Sequence, residues 1–131
     1  MSLDLKYLLF SVVLCFVQVL IAAATANREV GLSTLAGNRE GMAPLTGFAG
    51  RARRAHANML ENLPLFAALV LIAAIAGKAN ATTAMGATIF FWARLVYALV
   101  YLIGVPWLRT AVWFVSVIGM AMIAWVLITS I

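Results

Sequence analysis

Four long apolar runs, separated by short polar segments, dominate this chain of 131 residues. The first run, residues 7–26, has no charged residue and reaches the length of about 20 residues that a membrane-spanning helix needs. Glycine, proline and polar residues interrupt the apolar pattern between the runs, as is typical of turns. The pattern predicts transmembrane helices over residues 5–26, 47–76, 84–103 and 106–128, and a turn-rich polar loop over residues 27–46. We therefore expect a single all-α domain over residues 1–131, a four-helix up-down membrane bundle.

The composition excludes a soluble domain. Hydrophobic residues make up 66% of the chain and charged residues 10%, and the mean hydropathy is +1.08. A soluble domain of this size has too little interior to bury so much apolar surface. The net charge of +5 would suggest nucleic acid as the partner of a soluble protein, but for this chain membrane lipids are the expected surroundings and no nucleic acid is expected. Residues 22–26 are similar to a signal-peptide cleavage site, but the apolar run is too long for an ordinary signal peptide.

Basic residues are divided unevenly between the two ends of the predicted bundle. One end carries only Lys6 and Lys78. Six arginines flank or follow the first and third loops: Arg28, Arg39, Arg51, Arg53, Arg54 and Arg109. By the positive-inside rule, these loops are predicted to be cytoplasmic and both termini to lie on the opposite side of the membrane.

A polar stripe enters the second predicted helix. Positions three, four and seven apart share a helix face, so Arg51, Arg54, Asn58 and Glu61 fall within an arc of about 80°. A charge inside a membrane helix costs on the order of 3 kcal/mol, and such residues usually face a bundle interior or a polar cavity. The alternative is a basic collar at the membrane surface. That alternative would explain Arg51 and Arg53 but not the deeper Asn58 and Glu61.

The third and fourth predicted helices carry polar faces as well. On the third helix, spacings of three and four residues place Arg94, Tyr97 and Tyr101 on one face. On the fourth helix, the same spacings place Arg109, Trp113 and Ser116 on one face. We expect a buried ion pair between Glu61 and Arg94, because it would neutralise the two deepest charges. Taken singly, the tyrosines fit an aromatic belt and Arg109 an interface anchor. Polar faces on three helices at once favour a site for an anionic, polar ligand.

These residues resemble a known family. The segment Arg54-Ala-His-Ala-Asn-Met-Leu-Glu-Asn-Leu-Pro64, followed by an apolar run, is similar to the signature of the membrane-associated proteins in eicosanoid and glutathione metabolism, the MAPEG family. The resemblance extends over the third-helix motif with Arg94 and over Arg109, and so covers essentially the whole chain. It is strongest to bacterial members of the microsomal glutathione transferase and leukotriene C synthase type.

The resemblance implies a homotrimer that holds glutathione, as co-substrate, between neighbouring subunits near the cytoplasmic helix ends. By position, the residues that would bind glutathione are Arg54, Asn58, Glu61, Tyr97 and Tyr101, with Arg28 in the first loop facing the glutathione carboxylates. Arg109 matches the catalytic arginine that stabilises the thiolate. The charges of these residues match those of glutathione, because arginines can pair with its carboxylates and a glutamate with its ammonium group. No metal is expected.

The family resemblance implies a glutathione-dependent membrane transferase or peroxidase that acts on hydrophobic electrophiles or lipid hydroperoxides, in a bacterial cytoplasmic membrane. Ala57 and Trp113 depart from prostaglandin E synthase, which has an arginine and a tyrosine at these positions, so prostaglandin chemistry is disfavoured. The family also includes a member without enzyme activity. The alternative is therefore a non-enzymatic integral membrane protein of the same fold that binds a lipid or a partner.

Overall fold

The computed structural model describes all 131 residues and is helical, without strands. The helices are α1 (Leu3–Val30), α2 (Leu32–Ala36), α3 (Gly47–Ile75), α4 (Ala81–Ile103) and α5 (Pro106–Ile128). All except the short α2 are long and apolar enough to cross a membrane. The chain is an integral multi-pass membrane protein, and the predicted all-α fold with four membrane helices is confirmed.

The helices pack as a bundle with α3 and α4 at its centre. Helix α1 packs beside α3 and α4, α5 packs beside the same two helices, and the backbones of α1 and α5 do not approach each other closely. Successive membrane helices are antiparallel; short connections join α3 to α4 and α4 to α5, whereas the longer segment 31–46, which includes α2, joins α1 to α3. At one end, Arg51 near the start of α3 donates from its Nε to the carbonyl oxygen of Leu102 near the end of α4, at 3.0 Å. This end also holds α2 and the start of α5, and we call it the arginine-rich end.

Two glycines let α4 and α5 approach each other closely. A Cβ atom on Gly86 would lie 2.5 Å from the carbonyl oxygen of Gly119, and one on Gly119 would lie 2.6 Å from the carbonyl oxygen of Gly86. No side chain fits there without moving backbone atoms. Small residues are the usual means of close helix contact in membranes, where packing has to supply the attraction that apolar burial supplies in water.

The apolar core lies in the half of the bundle away from the arginine-rich end. The rings of Phe66 on α3 and Phe90 on α4 stack with centroids 3.9 Å apart and planes 14° from parallel, and both side chains are fully buried. Val70 and Ile123 complete the contact from α3 and α5. This packing fixes the relative rotation of the three helices, and with it the direction in which their polar faces point.

The observed helices differ from the predicted ones chiefly at two ends. Helix α1 continues to Val30, four residues beyond the predicted end, and stops at Gly31, whose φ of 84° suits a residue without a side chain. Helix α4 begins at Ala81, three residues early, because Asn80 and Thr83 form a capping box. The loop predicted over residues 27–46 thus contains the end of α1 and all of α2. Helix α3 passes through Pro64 as one continuous helix.

Candidate functional site

Three helices meet around a polar cavity of about 190 Å³ near the arginine-rich end. Its lining consists of Asn58 from α3, Tyr97 from α4, and Arg109, Thr110 and Trp113 from α5. Three of these residues are among those that the sequence singled out as ligands or as catalytic. Helix periodicity explains the convergence of Asn58, Tyr97 and Arg109, because each of them lies on the predicted polar face of its own helix.

A pair of tyrosines organises the arginines around this cavity. The rings of Tyr97 and Tyr101 meet edge to face with centroids 5.7 Å apart. The guanidinium of Arg94 lies 4.3 Å from the centre of the Tyr97 ring, and that of Arg109 lies 4.5 Å from the centre of the Tyr101 ring. Arg54 donates from its Nε to the Tyr101 hydroxyl at 3.1 Å. Three positive charges are therefore held against two aromatic rings, an arrangement that cation–π attraction stabilises.

The side chain of Asn58 connects two of these helices. Its Oδ1 accepts a hydrogen bond of 2.7 Å from Nη2 of Arg94 and a longer one of 3.3 Å from Nδ2 of Asn62. Asn62 also donates to the backbone carbonyl of Asn58 at 2.8 Å. The sequence analysis did not single out Asn62. The sequence alone could have identified Asn62, because an amide four residues from Asn58 and within an apolar run has to find a hydrogen-bond partner inside the protein.

The predicted ion pair between Glu61 and Arg94 does not form within the chain. Arg94 is 1% exposed, and its Nη2 bonds to Asn58 while its Nε and Nη1 have no hydrogen-bond partner. Glu61 is exposed. A difference of three positions places Glu61 about 60° around the helix from Asn58, and this rotation directs its carboxylate away from Arg94. In the chain, therefore, the partner of the deepest charge is an amide.

Three further residues that the sequence analysis named, Arg51 and Ser116 on the predicted polar faces and Arg28 in the predicted first loop, lie outside the cavity. Arg51 bonds to the end of α4, as described above, and so acts on the helix terminus. Ser116 is buried and its hydroxyl donates to the carbonyl oxygen of Trp113. Arg28 lines a different groove, together with Thr25, Glu29, Thr46, Phe48 and Ala49.

The groove beside Arg28 is shaped by an acidic residue. The carboxylate of Glu29 accepts hydrogen bonds from both the backbone N–H of Thr46, at 3.1 Å, and the Thr46 hydroxyl. These bonds fasten the segment before α3 to the end of α1. Within one chain, the structure does not bring Arg28 to the cavity that contains Asn58 and Arg109.

A second, larger groove of about 380 Å³ lies on the opposite face of α3. Eight of its eleven lining residues are hydrophobic, and they come from α1, α2, α3 and the segment before α3. Its polar lining consists of Arg39, Arg53 and His56. Arg53 and His56 line this groove because the helical turn of about 100° per residue directs them away from the face with Arg54 and Asn58.

The lining of the polar cavity carries positive charge and no negative charge. None of the residues that line it carries a carboxylate, whereas Arg109 contributes a permanent positive charge and Asn58, Tyr97 and Thr110 contribute hydrogen-bonding groups. A guanidinium cannot accept a proton at physiological pH, so the arrangement can bind and stabilise an anion but cannot use Arg109 as a base. This is the chemistry expected for an anionic ligand.

Comparison with known sequences is consistent with this geometry. No curated protein and no solved structure matches the chain. The sequence model of the MAPEG family matches residues 7–129, nearly the whole chain. That range includes all the residues around the polar cavity. The chain belongs to the MAPEG family, as the sequence motifs on its second, third and fourth membrane helices predicted.

Proposed function

We propose that this protein is a glutathione-dependent membrane transferase or peroxidase that acts on hydrophobic electrophiles or lipid hydroperoxides. The observation that carries the proposal is the cavity in which Arg109, Asn58 and Tyr97 converge without a carboxylate. MAPEG membership supports it, because the family includes glutathione transferases and peroxidases. The cavity has the charge that suits a thiolate, the reactive form of glutathione.

Arg109 is proposed to activate the thiol by electrostatics. A thiol has to lose its proton before it can act as a nucleophile, and a nearby positive charge lowers its pKa. The proton leaves to water, because neither Arg109 nor the amide of Asn58 can accept it. In the transferase reaction, the thiolate sulfur then forms a bond to an electrophilic carbon and the leaving group departs with its electron pair.

The remaining contacts to glutathione are assigned by charge. Arg54 supplies a guanidinium for a carboxylate, and Tyr101 holds it in position through the hydrogen bond to its hydroxyl. Glu61 is exposed and supplies an anion for the glutathione ammonium. Arg28 would reach a carboxylate from a neighbouring subunit of a homotrimer. A cavity of about 190 Å³ is smaller than the usual 300–1,000 Å³ of small-molecule sites, which supports a site completed by a second subunit.

We place the site on the cytoplasmic side of a bacterial cytoplasmic membrane. Six of the nine basic residues lie at the arginine-rich end, and the positive-inside rule assigns such an end to the cytoplasm. Glutathione would enter from water at this end. The hydrophobic co-substrate would arrive through the bilayer, which the exposed apolar side chains of the four helices would face.

The test compares wild type with Arg109→Ala in detergent-purified protein. Wild type should bind glutathione in calorimetry and show thiolate absorbance near neutral pH. Arg109→Ala should retain most of the affinity, lose the thiolate signal, and conjugate a small aryl halide about two to three orders of magnitude more slowly, as is usual when one such electrostatic contact is lost. Arg53→Ala, which removes an arginine from the other groove, is the matched control and should behave as wild type.

Two results would contradict the proposal. If Arg109→Ala keeps both the thiolate signal and the rate, the assignment of Arg109 is wrong. If wild type neither binds glutathione nor shows a thiolate, the second candidate is better supported, namely a non-enzymatic protein that binds a lipid. The larger groove favours this candidate, because its apolar walls and basic rim suit an acyl chain with an anionic head.

A further inference from the structure

Two buried residues, Arg94 and Asn62, donate hydrogen bonds to the side-chain oxygen of Asn58 and so fix the orientation of its amide. We propose that Asn62, acting together with Arg94, is a positioning residue that holds the amide of Asn58 with its NH₂ group toward the polar cavity. The cavity would therefore present a hydrogen-bond donor, and never an acceptor, at this point. The consequence for catalysis rests on the proposed glutathione chemistry, whereas the orientation itself can be tested without any ligand.

The identity of the amide atoms follows from the chemistry of arginine. The oxygen and nitrogen of an asparagine side chain are distinguished only by their hydrogen-bond partners. A guanidinium has donors and no acceptor, so the atom that lies 2.7 Å from Nη2 of Arg94 has to be the Asn58 oxygen. Asn62 contributes a second donor to that oxygen at 3.3 Å. Both lone pairs of Oδ1 are then in use.

The two donors cannot readily turn elsewhere. Arg94 is 1% exposed and Asn62 is 7% exposed, so neither has an alternative partner in water. Asn62 is additionally held by its shorter bond to the Asn58 carbonyl oxygen, which its position one turn further along α3 makes possible. Reversing the Asn58 amide would place its NH₂ group against two donors, which is repulsive.

The free group of Asn58 is consequently its Nδ2, with two N–H donors. Asn58 lines the cavity together with Arg109 and Tyr97, so these donors act in the same space as the guanidinium. Preorganised donors stabilise an anion at the position where its charge develops. The subsite therefore selects an anionic acceptor atom, which for glutathione is the thiolate sulfur. An amide free to reverse would direct its oxygen at that sulfur for part of the time.

Two substitutions at Asn62 separate positioning from support of the fold. Asn62→Leu removes the donor and adds no acceptor, so it should lower kcat about two- to tenfold, the scale of one ordinary hydrogen bond, and raise the pKa of the bound thiol. Asn62→Asp has nearly the same shape but offers a carboxylate, which attracts the NH₂ group of Asn58 and reverses it. Its effect on kcat and on the thiol pKa should be larger, about 10- to 100-fold in kcat.

If Asn62 only supported the fold, Asn62→Asp would not change kcat and the thiol pKa more than Asn62→Leu does. Loss of packing would lower the melting temperature and the active fraction in both variants, but it would leave the pKa of the bound thiol unchanged. The control is Gln18→Leu, which replaces a buried amide on α1 that does not line the polar cavity. Equal thiol pKa values in wild type and both Asn62 variants would overturn the proposal.

The orientation is checked separately by NMR on ligand-free protein labelled with ¹⁵N-asparagine. The chain has only five asparagines, and Asn58→Asp identifies the side-chain signal of Asn58. Asn62→Asp should move an Asn58 amide proton downfield, because that proton then bonds to a carboxylate, while Asn62→Leu should not. An unchanged Asn58 signal in Asn62→Asp would refute the positioning role of Asn62 whatever the outcome with glutathione, because Arg94 alone would then hold the amide. The expected shift in Asn62→Asp, combined with a wild type that binds no glutathione, would instead refute the proposed function alone.

Discussion

The contact between α4 and α5 gives the sharpest test of the packing. In Gly119→Ala the new methyl group would lie 2.6 Å from the carbonyl oxygen of Gly86 and 2.9 Å from the backbone nitrogen of Phe90. Backbone atoms in helices cannot turn aside as a side chain can. Restoring an ordinary contact of 3.4 Å therefore requires the two helices to separate by about 0.8 Å.

The separation of α4 and α5 determines how much stability Gly119→Ala should lose. A gap of 0.5–1 Å removes about a quarter to a half of the dispersion attraction between the atoms on its two sides. Overpacking a well-packed contact costs about 1–3 kcal/mol, and the atom closest to the new methyl group at either glycine is a backbone oxygen that cannot move aside alone. We expect Gly119→Ala to lower the free energy of unfolding by about 2 kcal/mol. For a chain of this length the melting temperature should fall by roughly 5 °C or more.

The assay is thermal unfolding in mild detergent, followed by the helical circular dichroism signal. Ala121→Val is the control, because it adds a larger group to an exposed position of the same helix and should have little effect. The double variant Gly86→Ala with Gly119→Ala should cost less than the sum of the two single changes, since the first methyl group already separates the helices. A melting temperature of Gly119→Ala equal to or above that of wild type would refute the close approach of α4 and α5.

Other changes test topology and local structure. With Cys15→Ala as background, cysteines introduced at Ser33 and Thr82 should be labelled by an impermeant reagent from opposite sides of the membrane; labelling of both from one side would contradict the four-span topology. Asn80→Ala removes the capping box of α4 and should lower the free energy of unfolding by about 1 kcal/mol, measured by thermal unfolding. Arg51→Met removes the bond to the last turn of α4 and should cost about 1 kcal/mol, while glutathione affinity stays unchanged in calorimetry.

Periodicity and hydropathy predicted most of the fold. The bounds predicted for the second and fourth membrane helices agree with α3 and α5 to within one residue, because both helices begin at clear changes of composition. The C-terminal end of α1 and the start of α4 were missed, since Asn27, Arg28 and Glu29 are polar enough to suggest a loop and the capping box depends on side-chain geometry. Local signals such as Asn80 set these ends, and hydropathy does not detect them.

For the site, the sequence predicted which faces converge but not which atoms meet. Helical spacing was sufficient to place Asn58, Tyr97 and Arg109 around one cavity. It could not predict the partner of Arg94, because the choice between Glu61 and Asn58 depends on a rotation of about 60° that only the packing of α3 against α4 decides. The part of Asn62 was missed although it does not depend on that packing, because Asn62 bonds to Asn58 one turn earlier on the same helix.

The charge distribution described for the arginine-rich end has a consequence for kinetics. The guanidinium groups there outnumber the carboxylates of Glu29 and Glu40, and the apolar interior behind them is a medium of low dielectric constant. Such a surface concentrates counter-ions and directs diffusing anions, and the effect weakens as dissolved ions shorten the Debye length to about 10 Å at 0.1 M salt. An anionic ligand should therefore associate faster at low ionic strength, while its rate of dissociation from the cavity changes little.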